Sequence, residues 1–371
     1  METTKQHETL ANAAAIAIEK CLALKAGETL LIVSNPGTEQ AVIAEALKAA
    51  AQNAGVIVTL LYQPVKNQGD YAEDFVLDAI AAKPNALASI STEKLGKDKY
   101  RIAAPLDAPD GKRYDHLFHY YLHGTKEMRS FWSPGITVDM FTRTVAIDYS
   151  GMRASARALK AILDEAEAVQ VSAPSGTDIF IGLQGRKAFV DDGDFSAPGS
   201  GGNLPAGEVF VSPAVKSAQG RIVFDGSIAD IAGDIVIETP IACEVSGGFV
   251  MDCEGGSEAE RLEKALRKGM DMAATLVPKG MAPEEALRYA TNARHIGELG
   301  IGLNAEARIG GNMLEDEKVY GTCHFAIGAN YDEDAPALIH LDGLVKAPTI
   351  TALMPGGLEL VIMRDGVLAA L

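Results

Sequence analysis

The chain has 371 residues, 47% hydrophobic and 22% charged, the balance of a folded globular protein with room for two domains of ordinary size. Its formal net charge of -17 argues against nucleic acid and anionic membranes as partners, because both are bound through basic surface. No apolar run is long enough to span a bilayer, and the N-terminal stretch lacks the pattern of a signal peptide, so a cytoplasmic location is expected.

Residues before Lys25 read as an amphipathic helix, and Thr29 to Val33 as a buried strand. The loop Asn35-Pro36-Gly37 follows, then a helix over 39–53 ended by Gly55, a strand over 56–62, a helix over about 71–82 and a short strand over 86–91. This alternation predicts an open α/β sheet. The loop after the first strand is not GxGxxG and gives little support for a dinucleotide. Residues 95–135 are rich in aromatics and histidines. His116, His119 and His123 share a face if the segment is helical and scatter if it is a strand. A metal triad is conceivable there, but the wall of a cleft or an interface is the better expectation. A further Ala-rich helix over 148–166 closes a first domain, placed at 1–166.

From Val169 the pattern changes to short strands separated by Gly, Pro, Asp and Ser, which predicts a β-rich second domain, 167–371, built as a curled sheet or barrel. The Gly/Asp/Ser-rich stretch 191–203 is a candidate active-site loop, with a plain surface loop as the alternative. Helices are expected over 258–274 and 283–294, the second opened by Pro283-Glu284-Glu285. The four cysteines, Cys21, Cys243, Cys253 and Cys323, form no CxxC, so neither a disulfide framework nor a cysteine zinc site is expected.

The stretch 292–342 carries the chemistry. Period-two alternation puts Leu299, Ile301 and Leu303 on one strand face, and Glu298 on the other with Gly300, Gly302 and Asn304. The second face has so little bulk that another group can approach it closely. In the run 321–327, His324 points away from Cys323, Phe325 and Ile327; in 338–342, His340 and Asp342 share a side. An acidic run, Glu315-Asp316-Glu317, lies between. Each histidine alone is more readily a hydrogen-bonded core residue, and the acids alone are solvated charges. Three alternating strands with such side chains together favour a divalent-metal site of imidazole and carboxylate.

Several ordered blocks resemble the aminopeptidase T/S family of metallo-aminopeptidases. They are Ala206-Gly207-Glu208-Val209-Phe210-Val211-Ser212-Pro213, the run from Gly297 to Asn304, Asp316-Glu317-Lys318 with Gly321-Thr322-Cys323-His324, and Ile339-His340-Leu341-Asp342. The similarity covers most of the chain and is strongest from Gly176 to Asp342. It implies two co-catalytic divalent ions (Zn, Co or Mn) on Glu208, Glu298, Glu317, His324, His340 and Asp342. It also implies a catalytic role for Glu298 in proton transfer and for Tyr331 beside the site, and a small peptide as substrate. Leu338 stands where the family pattern has a further histidine. The same superfamily resembles an Fe(II) ring-cleaving dioxygenase acting on 2,5-dihydroxypyridine, for which His324, His340 and Asp342 would suffice. A non-catalytic member is the third reading. A homodimer built partly through the β-rich half is expected.

Overall fold

The computed structural model describes residues 2–231 and 233–369. By compactness the chain divides into two units, residues 1–149 with 193–206, and residues 150–192 with 207–371. The sequence reading draws its boundary after residue 166. Compactness instead groups most of the helix Tyr149–Glu165 with the second unit.

The first unit is an open parallel sheet of five strands in the order Gly201–Asn203, Arg129–Trp132, Ala86–Ile90, Thr29–Ser34, Ile57–Tyr62. Thr29–Ser34 is an interior strand, and only its first residue is more than slightly exposed. Helix Glu39–Asn53 starts where the Thr38 hydroxyl accepts a hydrogen bond from the Ala41 amide, satisfying one of the free donors of its first turn. The side chain of Asn35 joins strand ends: Nδ2 donates to the Gln63 carbonyl at 2.9 Å, and Oδ1 accepts from the Thr92 amide at 2.7 Å. Leu31, Val33, Val76, Leu77, Ile80, Leu87 and Phe118 form a core on one side of the sheet. The His-rich segment is a short helix, Leu117–His119, that widens into a π-helical turn, Tyr120–Gly124.

The stretch 191–203 is not a free loop. Gly201–Asn203 adds an edge strand parallel to Arg129–Trp132. Glycine suits position 201: a Cβ there would come within 2.8 Å of the Ser130 carbonyl oxygen and 3.3 Å of the Trp132 ring.

The second unit holds two sheets. An eight-stranded sheet runs from Phe249–Glu254 to Val367–Leu368, and a seven-stranded sheet runs from Ile235–Val236 to Phe189–Asp191. Among the described residues each has two edge strands, and neither closes into a barrel. Helix Ser257–Ala274 buries Ala259, Leu262, Leu266 and Ala273, four positions at helical spacing. Helix Pro283–Asn292 begins with proline and two acids in its first turn, as the sequence predicts. Cys243 and Cys253 are directly opposite on neighbouring strands with Sγ atoms 2.9 Å apart, as free thiols. Cross-strand register creates that proximity, which the sequence spacing does not signal.

Candidate metal centre

The seven-stranded sheet places the site. Its register sets Glu208 opposite Gly302, Phe210 opposite Gly300, Gly300 opposite His324, Glu298 opposite Ala326, and Ala326 opposite Asp342. Opposed residues share a face, so Glu208, Glu298, His324 and Asp342 project to one side, and His340 joins Asp342 at the next position but one. A register shift interrupts the pairing between Ile296 and Glu298, and from Glu298 onward the alternation is regular. Glu317 arrives from outside the sheet, as the residue that ends the short helix Met313–Asp316.

All six expected ligands come together, in two groups. Ligand atoms of Glu208, Glu317 and His324 lie within 4.8 Å of one another, as do those of Glu298, His340 and Asp342. Glu298 links the groups: Oε1 is 3.0 Å from His324 Nε2, and Oε2 is 3.3 Å from His340 Nε2. His324 Nε2 is also 3.5 Å from Glu208 Oε2, and His340 Nε2 is 3.3 Å from Asp342 Oδ1. His340 Nδ1 donates to the Ala329 carbonyl at 2.8 Å. That bond fixes the ring and leaves Nε2 facing the carboxylates, the usual arrangement for a metal-ligating histidine.

Lys318 is the feature that the residue pattern does not announce. It is fully buried. Its Nζ donates to Glu208 Oε1 at 2.6 Å and to Glu317 Oε1, and lies 3.7 Å from Asp191 Oδ2. Asp191 reaches the site as the cross-strand partner of Glu208. Lys318 brings one positive charge to the group containing Glu208 and Glu317, and its field reaches Asp342 of the other group.

The ionisation states follow from crowding. Burial favours neutral imidazole at His324, but the Glu298 hydrogen bond and the nearby carboxylates outweigh it and raise the ring to about 9. His340 is raised for the same reason, by Asp342 and Glu298 against burial. Burial works against the charged form of Asp342, yet His340, His324 and Lys318 hold it down at about 2. Burial, with Glu208 and Asp342 adding to it, pushes Glu317 up to about 8 against the pull of Lys318.

The donor set fits divalent cations. Buried Glu208 Oε2, Glu298 Oε2 and Asp342 Oδ1 make no well-formed hydrogen bond among the described residues. They face imidazole nitrogens at the longer distances given above, and buried carboxylate oxygens are stable only when paired or coordinating.

Other candidates lie elsewhere. Glu315 and Asp316 are buried and brace the preceding loop: Glu315 Oε1 accepts from the Arg308 amide, and the Asp316 oxygens accept from the Gly310 and Gly311 amides. They are not solvated charges. Cys323 packs on the opposite face, with burial pushing its thiol pKa up. Tyr331 sits with its ring centroid 5.4 Å from that of His340, edge to face, and 4.9 Å from that of Phe210. The residue is about half exposed, and partial burial with the surrounding carboxylates raises its hydroxyl pKa, so it stays protonated. His116, His119 and His123 belong to the first unit. His295 is buried in the second unit outside both ligand groups.

The chain thus combines an open α/β unit with a β-rich unit whose buried imidazole and carboxylate groups could hold metal ions. The chain belongs to the family described as NicX: 2,5-dihydroxypyridine 5,6-dioxygenase, whose model matches residues 137–350, more than half of its length. It is 28% identical over 116 residues to the 2,5-dihydroxypyridine 5,6-dioxygenase of Pseudomonas putida KT2440. That match takes in 30% of this chain and spans only 31% of the relative's length. Among solved structures, a 2,5-dihydroxypyridine dioxygenase from Pseudomonas putida KT2440 superposes with TM-score 0.70 at 16% identity, covering 97% of both chains. Wild-type AmpT from Thermus thermophilus superposes with TM-score 0.65 at 18% identity, covering 98% of this chain and 99% of that one. At such identities the superpositions establish a shared fold. Among the described residues no helix is long and apolar enough to cross a membrane.

Proposed function

We propose that the protein is a metal-dependent aminopeptidase, a hydrolase that removes the N-terminal residue of a small peptide. One observation carries the reading: Glu298 turns one oxygen to His324 and the other to His340, the placement of a carboxylate shared by two cations. Glu208, Glu317 and His324 would hold one ion, and His340 and Asp342 the other. Zn, Co or Mn suits such donors. When bound, such ions lower the pKa of a coordinated water and so supply hydroxide near neutral pH.

The chain's own groups do the rest. Lys318 fixes Glu208 and Glu317 by its two hydrogen bonds. The carboxylates attract the cationic amine of a peptide N-terminus. The protonated Tyr331 hydroxyl is a donor for an oxyanion forming beside His340. Glu298, with both oxygens turned to imidazoles, serves first as a ligand. Its part in proton transfer is read by Glu298→Gln, which keeps a coordinating oxygen and removes the basic one.

The family match favours a second reading, a mononuclear Fe(II) dioxygenase of the 2,5-dihydroxypyridine type. His324, His340 and Asp342 offer the two imidazoles and one carboxylate that such chemistry uses. A member that has lost catalysis would show neither activity. The test is a pair of assays on protein purified without chelator: hydrolysis of amino-acid anilides, and oxygen uptake with 2,5-dihydroxypyridine. Anilide hydrolysis abolished by His340→Ala is the expected result. Oxygen uptake without anilide hydrolysis overturns the peptidase reading in favour of the second.

A further inference from the structure

The first unit contains a cavity of about 670 Å³, the size of a small-molecule site. It lies beyond the C-terminal ends of Ala86–Ile90 and Arg129–Trp132 and is lined there by Ser91, Trp132 and Pro134. Ligands of open parallel sheets bind in crevices outside the carboxyl ends of the strands.

The inner wall is aromatic. Phe118 and Trp132 meet edge to face with centroids 6.0 Å apart; Phe118 and His119 are 5.1 Å apart; His119 and His123 stack at 6.1 Å. The histidines do not form a metal triad. Among the described residues, the only groups of three ligand atoms within 4.8 Å of one another are the two in the second unit. Burial lowers the pKa of His116, His119 and His123, so these rings are neutral at pH 7.

Charge defines the occupant further. Glu93, Lys94, Lys97 and Asp115, of both signs, are exposed at the mouth. The buried charge, Asp98, is committed to backbone: it accepts from the Tyr100 and Arg101 amides at 3.0 Å and from the Leu117 amide at 3.2 Å. A ligand ion would find no buried counter-charge among these residues. A flat ring would find aromatic faces; His116 is committed to the Gly96 carbonyl and the Phe118 amide, and the neutral imidazoles of His119 and His123 can donate or accept a hydrogen bond at the ring's edge.

We infer that this cavity binds an uncharged planar heteroaromatic ring of the purine or pyridine type, independently of the metal centre. Trp132 is the only tryptophan of the chain, so its emission reports on this cavity alone. The test titrates the full chain with adenine, nicotinamide and benzoate, following Trp132 fluorescence and calorimetric heat together. Saturable quenching with matching heat is expected from at least one of the two neutral rings, and none from benzoate. His119→Ala, which removes one ring of the cavity wall, is expected to weaken that binding by about tenfold through loss of one stacking face, with the circular dichroism spectrum unchanged. His340→Ala is expected to leave it intact. The inference is overturned if neither neutral ring binds, if benzoate binds as well as they do, if His119→Ala has no effect, or if His340→Ala abolishes binding.

Discussion

A Cβ added at Gly300 would lie 2.0 Å from Nε2 of His324. The two residues are directly opposite in neighbouring strands, and the imidazole lies over the glycine where any side chain would collide with it. Glycine is usually a weak choice inside a strand; here it gives His324 its path to Glu298. Gly300→Ala is expected to weaken divalent-metal binding by about tenfold to a hundredfold, the range for loss of groups that orient a ligand. Gly310→Ala is the control, since its nearest neighbour beyond adjacent residues is 4.0 Å away. Chelator competition measures both, and unchanged affinity in Gly300→Ala would contradict the role given to this pair.

Lys318 is fully buried among carboxylates. Lys318→Met leaves Glu208 and Glu317 without their cation, and breaking a buried ion pair from one side costs roughly 3–5 kcal/mol. The metal-free protein is expected to lose stability on that scale, with a smaller loss when divalent ions are added, because they restore the missing charge. Urea denaturation with and without zinc measures this. A variant as stable as the parent without metal would show that the ammonium is dispensable.

Acid stability should depend on His295, which is 1% exposed and has no hydrogen-bond partner for either ring nitrogen among the described residues. Burial lowers its pKa from 6.5 to about 4, with Asp334 opposing and Arg186 adding to the shift. Below the higher value the unfolded chain takes up a proton that the folded chain refuses. The stabilisation is therefore complete above pH 6.5, falls as the pH drops towards about 4, and levels off beneath. The expected loss from this group is roughly 3 kcal/mol. His295→Gln should flatten the parent's decline over that interval; two parallel profiles would exclude His295 as its cause.

The eight-stranded sheet and its hairpins expose Phe180, Met251, Leu358 and Val367, which are 39%, 63%, 65% and 63% accessible. Exposed apolar groups on one sheet favour association, and a homodimer through the second unit is the expected state. Sedimentation equilibrium should give twice the chain mass, and Leu358→Glu should shift it towards monomer. A parent that sediments as a monomer at low concentration would remove the dimer from the account.

Much of the centre was legible because strand alternation is strict. Period two alone separates His324 from Cys323 and puts Glu298 on the bare face with Gly300, and all of them are placed so. The helices over 39–53 and from residue 283 carry their own start signals, a threonine cap and a proline with two acids. Lys318 was hidden because a lysine in an acidic run reads as a surface charge, and its burial is made tolerable in part by Glu208 and Asp191, both distant in sequence. Asp191 was hidden because its pairing with Glu208 spans the excursion 193–206 into the other unit. The glycines of that excursion read as loop, since nothing local signals an edge strand beside Arg129–Trp132.

The central claim is that Glu298 is shared between two cations. Anomalous diffraction from crystals of protein purified without chelator, collected at the absorption edges of zinc, cobalt, manganese and iron, tests it most directly. The account predicts two anomalous peaks, one within ligand distance of His324 and Glu208, the other within ligand distance of His340 and Asp342, with Glu298 reaching both. A single iron peak, or a peak that Glu298 does not touch, would contradict it.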